Sequence, residues 1–175
     1  MRSADNVRIA ILSAFALALH SIEALIPSPA PWLKLGLANI VTLVTLILYG
    51  LYPALMVTFI RVILGSLFTG TFLGPAFLLS FGGGTASTLA MAAARPLVPG
   101  TFSAVGLSLI GALFHNLAQL AIASVLFIGN VDAVLFIAPF VILAGTLAGA
   151  LNGFVSELLI ANLKKSDQTV QNVGQ

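Results

Sequence analysis

Arg61 is the residue in this chain with the greatest chemical reach. It sits in the middle of an apolar run, Ala54 to Phe68, too far from either end for its guanidinium to reach water easily. Charged side chains at that depth in a hydrophobic helix are rare and face a partner or a cavity. A guanidinium presents a planar fork of N–H donors that matches carboxylate or phosphate. Two roles therefore fit Arg61: an internal ion pair with Glu23 or Glu157, or the grip on an anionic group of a ligand.

Two further polar groups stand in apolar surroundings. His20, Glu23, Trp32, Lys34 and Asn39 cluster around the first break in the chain. His20 and Glu23 are three apart, so a helix puts them on one face. Trp32 and Lys34 also suit anchoring at a membrane interface. His115, Asn116 and Gln119 form the second group. His115 and Gln119 are four apart and share a face, with Asn116 beside them. Interhelical hydrogen bonding and the lining of a binding cavity both account for this group. Two histidines and a glutamate are metal-ligand types, but their spacing matches no zinc pattern, and no metal is expected.

Several chemistries are excluded. There is no cysteine, so disulfides, thiolate catalysis and cysteine-based metal sites are ruled out. Gly82-Gly83-Gly84 is followed by no Gly-Lys-Ser/Thr and lies within an apolar segment, so it is not a phosphate loop. It is expected to interrupt a helix where the backbone lines a cavity. The Asp residues lie at the ends or in a turn, leaving no Asp-rich pair to hold magnesium and diphosphate. No catalytic motif is present, no cofactor is expected in the chain, and ATP hydrolysis would need partner subunits. The few scattered charges offer no nucleic-acid surface.

These groups must be positioned by membrane-spanning helices. Of 175 residues, 59% are hydrophobic and 7% charged, against roughly 25% charged in an average soluble chain. The mean hydropathy is +1.13. Six apolar segments approach the roughly 20 residues that span hydrocarbon as a helix. They run from about 7–26, 35–49, 54–68, 76–94, 103–128 and 133–163, separated by proline- and glycine-rich breaks. The first is expected to be a retained helix, because no clean cleavage site follows it. The runs are apolar on all sides, unlike the alternating strands of a β-barrel. The expected fold is an all-α integral membrane protein: one six-helix domain over residues 1–163, then a polar, disordered tail over 164–175. Six helices put both termini on one side. Arg2, Arg8, Arg95, Lys164 and Lys165 fall there and Lys34 opposite, which predicts cytoplasmic termini.

Small residues recur at helix-packing intervals: Ala10, Ala14 and Ala18 in the first helix, Gly145 and Gly149 in the last. Such spacing lets backbones approach closely in lipid, either within the bundle or against another membrane protein.

The stretch from Leu19 to Leu43, with His20, Glu23, the three prolines Pro27, Pro29 and Pro31, then Trp32, Lys34 and Asn39, resembles the signature of the Gx transporter family, also catalogued as heptaprenyl diphosphate synthase component I. The Arg61 helix, Gly82–Gly84 and the run from Gly111 to Gln119 are similar to it too, and the likeness covers roughly residues 8–162. The resemblance implies a fold related to the substrate-binding (S) components of energy-coupling-factor (ECF) vitamin transporters, six helices with an outward-facing pocket covered by the loop after the first. It also implies that Ala10, Ala14 and Ala18 face a membrane scaffold subunit docked to two ATPases. The expected function is small-molecule uptake at the cytoplasmic (inner) membrane. His20, Glu23, Trp32, Lys34, Asn39, Arg61, His115, Asn116 and Gln119 would line the pocket. The family's second name implies another role, an accessory membrane subunit associated with a prenyl transferase in isoprenoid or menaquinone synthesis.

Overall fold

The computed structural model describes residues 2–25, 36–97 and 103–173. They form α1 (Arg2–Leu25), α2 (Leu37–Tyr49), α3 (Leu51–Phe68), α4 (Pro75–Leu97), α5 (Ala104–Ala123) and α6 (Val131–Val173), with no strand among the described residues. All but α2 contain a stretch long and apolar enough to cross a membrane. The chain is a multi-pass membrane protein. α2, at 13 residues, is shorter than a full span, and it packs against α1, α3 and α6.

Three boundaries differ from the expected ones. The turn predicted at Gly50–Pro53 shrinks to Gly50, whose φ of +90° suits glycine. Pro53 falls in the first turn of α3, where its missing N–H costs nothing. The predicted break at Gly82–Gly84 is absent, and α4 runs through it unbroken. A continuous helix keeps every backbone group bonded at membrane depth, and the glycines admit neighbouring side chains instead. The polar stretch after Leu163, expected to be disordered, continues α6 to Val173. Beyond Ala123, α5 widens into a π-helical turn, Ser124–Ile128, closed by Gly129 at φ +62°.

Successive helices run antiparallel. Arg95 of α4 donates to the carbonyls of Leu46 and Ile47 at 2.9 and 3.1 Å, satisfying acceptors that the C-terminus of α2 leaves open. Arg8 of α1 lies over the Tyr49 ring, 5.7 Å from its centroid. The start of α1 and the ends of α2 and α4 therefore share one face of the bundle. On that face Leu46, Ala54, Ala94, Ala104, Leu107 and Ile160 pack into an apolar core. Above it, Thr42, Thr58 and Thr88 link α2, α3 and α4 through hydroxyl contacts of 3.3 and 3.2 Å.

α5 and α6 meet along a glycine seam. A Cβ at Gly153 would stand 2.5 Å from Val105 Cα, and one at Gly149 2.6 Å from Ala112 Cβ. Ser108 Oγ donates to the Gly149 carbonyl at 2.7 Å. The spacing of Gly145 and Gly149 thus serves packing within the bundle. Ala10, Ala14 and Ala18 stay exposed along α1, together with Ile11 and Phe15.

Candidate functional site

The half of the bundle away from the apolar core is hollow. A cavity of about 720 Å³ receives side chains from all six helices. It extends from Gly70, Thr71 and Gly74, in the α3–α4 turn, to Ser87, Met91 and Ser108 above the core. The π-helical turn presents Phe127 and Ile128 to it. π-helical turns often re-aim side chains at functional sites.

Arg61 lies inside this cavity and is 6% exposed. Placing an arginine at the centre of a spanning helix costs roughly 2.5–3.5 kcal/mol on insertion scales, so it requires partners. Asn39 of α2 supplies one, accepting from Arg61 Nη2 at 2.6 Å. Glu23 of α1 supplies opposite charge. Of the two acids the sequence offered as counter-ions, Glu23 lines the cavity, while Glu157 is exposed on α6 and lies outside the lining.

The Glu23 carboxylate also accepts the backbone N–H of Gly36. The Gly36 carbonyl accepts from Asn152 Nδ2 of α6 at 3.2 Å and from Asn39 N at 2.7 Å. With φ at +74°, Gly36 turns the chain into α2. One residue, in a conformation that favours glycine, thus ties α1 to α6 where the chain re-enters the bundle.

Gly83 and Gly84 place the two polar groups side by side. A Cβ on Gly84 would stand 3.6 Å from Arg61 Nη2, and one on Gly83 would meet His115 Cε1 and Gln119 Cγ at 3.0 Å each. Arg61 from α3 and the His115–Gln119 face from α5 therefore flank adjacent positions of α4. Asn116 presses on Gly145 of α6. His20, buried on α1, rests on Gly65 of α3.

The cavity therefore gathers His20, Glu23, Asn39, Arg61, His115, Asn116 and Gln119 from four helices. Trp32 and Lys34 lie outside the described residues. Asn152 and the hydroxyls of Ser80, Ser87 and Ser108, none of them a ligand-binding residue expected from sequence, also line the cavity. A lone asparagine between Gly149 and Gly153 in a long apolar helix was the available signal for Asn152.

Buried polar groups in folded proteins almost always find partners. Arg61 Nε and Gln119 Oε1 are buried here without a hydrogen-bond partner. They present both donor and acceptor capacity to the cavity. Among the described residues, no group of three His, Cys, Asp or Glu is placed to hold a metal ion.

The family model for heptaprenyl diphosphate synthase component I matches residues 12–159. No curated protein and no solved structure matches the chain. The match spans most of the chain, which belongs to the heptaprenyl diphosphate synthase component I family.

Proposed function

We propose that this member of the heptaprenyl diphosphate synthase component I family is a membrane substrate-binding component for small-molecule uptake, similar in kind to an ECF S component. The observation that carries the reading is the cavity itself. It has the size of a small-molecule site, its wall is mostly apolar, and Arg61 Nε and Gln119 Oε1 are buried there without partners. The ligand enters from outside, at the end of the bundle where α1 and α3 finish and α6 begins. Arg61 and Asn39 hold its polar end, with Lys34 and Trp32 contributing from the segment after α1. The cytoplasmic placement of both termini rests on the bias of Lys and Arg along the sequence, with Arg8 and Arg95 at the end of the bundle where α1 begins and α2 and α4 end. Transport draws on ATP through a scaffold subunit and two ATPases. The exposed Ala10, Ala14 and Ala18 of α1 form the docking face.

Native mass spectrometry of the protein extracted gently from its own membrane tests this. A retained small molecule that is lost from an Arg61→Ala variant, with the bundle still folded, supports binding. Unchanged retention in that variant removes Arg61 from the site. The family's printed name favours a second reading, an accessory subunit of heptaprenyl diphosphate synthesis. A co-purifying prenyl transferase with an empty cavity would favour that one.

A further inference from the structure

We infer that the cavity selects a ligand with a mixed hydrogen-bonding edge, an acceptor beside an N–H or O–H donor as in an amide, lactam or ureide, carrying at most one negative charge, and that it rejects diphosphates. The inference rests on the reading of the cavity as a binding site and specifies its chemistry.

Charge balance gives the first argument. Among the described residues lining the cavity, one arginine, Arg61, and one acid, Glu23, carry formal charge, and the two cancel. Glu23 is held in place by the Gly36 N–H, so it stays where it offsets Arg61. A diphosphate carries two or three negative charges. In an apolar enclosure, buried charge without compensation is strongly disfavoured. Diphosphate sites relieve this with a metal ion or several cations. No group of three His, Cys, Asp or Glu able to hold a metal lies among the described residues.

Hydrogen-bond matching gives the second. Arg61 Nε is a donor in need of an acceptor, and Gln119 Oε1 is an acceptor in need of a donor. An ionised phosphate group is acceptor-only. It could satisfy Arg61 but would bring no donor to Gln119 Oε1. A ligand that carries an acceptor together with an N–H or O–H donor, as amides, lactams and ureides do, can satisfy both. Gly83 and Gly84, on adjacent positions of α4, let the two side chains flank the same short stretch of helix. The rest of the ligand is apolar or aromatic, facing Leu43, Leu79, Met91 and Phe127.

The test uses the full chain in lipid nanodiscs. Farnesyl diphosphate and inorganic pyrophosphate are added separately and the melting midpoint is followed. Neither is expected to raise it. A rise with either probe that Arg61→Ala abolishes would overturn the inference while leaving the binding reading intact. In parallel, the small molecule retained from the native membrane is identified by mass. It should bear an amide-type edge and no more than one negative charge. Gln119→Met should lower its occupancy roughly tenfold or more, while the empty protein melts no earlier, because a buried orphan oxygen has been removed. A retained compound with no N–H or O–H donor would overturn the inference. With no retained compound and no response to either probe, the binding reading fails and this inference fails with it.

Discussion

His20 of α1 lies so close to Gly65 of α3 that a Cβ on the glycine would stand 2.5 Å from the imidazole Cδ2. The ring is buried and lines the cavity, so it cannot swing out to solvent. Gly65→Ala should therefore drive His20 into the cavity or part α1 from α3. Overpacking of this kind costs about 1–3 kcal/mol. The expected result is a lower melting midpoint in nanodiscs. Adding His20→Ala to Gly65→Ala should recover much of the loss, and an additive double mutant would show that the contact does not couple the helices.

The glycines facing neighbouring helices should differ sharply in their tolerance of alanine. At Gly153 the atom met is backbone, Val105 Cα at 2.5 Å. Backbone cannot rotate away, so Gly153→Ala must separate α5 from α6, at a cost of about 2 kcal/mol or more. At Gly82 the atom met is the tip of Ile122, Cδ1 at 2.2 Å. That methyl can change rotamer, and alanine is favoured over glycine in a helix by about 1 kcal/mol. Gly82→Ala should leave stability within about 1 kcal/mol of the parent. Melting both variants side by side checks the distinction, and equal losses would contradict the packing described for the seam.

Gly36 offers a third measurement. Its N–H is taken by Glu23 and its carbonyl by Asn152 and Asn39. Asn152→Leu keeps the volume of the side chain and removes the donor, and should cost about 1 kcal/mol. Gly36→Ala should cost more. It places a non-glycine residue at φ +74°, a penalty of roughly 1–2 kcal/mol, and its Cβ would meet the side-chain nitrogens of Asn39 and Asn152 at 3.0 and 3.2 Å. Both variants should also bind the retained small molecule more weakly, because Asn39 holds Arg61. Normal retention together with a lowered melting midpoint would confine Gly36 to a structural role.

The helices and the polar clusters were legible in the sequence because a membrane leaves little choice. Long apolar runs must be helical, and a residue such as Arg61 must face inward. Pairs at helical spacing, such as His115 with Gln119, could likewise be placed on one face. Which helices bring those faces together was not legible, because it depends on distant glycines. Three consecutive glycines in sequence predict a break, yet Gly83 and Gly84 form the shallow seat on α4 that Arg61 and His115 approach. Asn152 was missed for a related reason. Its partner is the Gly36 carbonyl, 116 positions away, and a backbone acceptor leaves no mark on residue type.

The absence of cysteine from the chain makes the orientation directly measurable. Asn6, near the start of α1, and Asp132, in the first turn of α6, are both exposed and sit at opposite ends of the bundle. Single Asn6→Cys and Asp132→Cys variants should both fold, since Asn6 is exposed and losing the Asp132 carboxylate from the first turn of α6 costs only about 0.3–1 kcal/mol. With the basic end inside, a membrane-impermeant maleimide should label Asp132→Cys on intact cells and Asn6→Cys only after the membrane is opened. The reverse pattern would turn the cavity mouth toward the cytoplasm. A cavity opening there could not capture a solute from outside, so uptake would be untenable. A cytoplasmic partner handing over its product would then be the better explanation of why Arg61 is buried among so many polar neighbours.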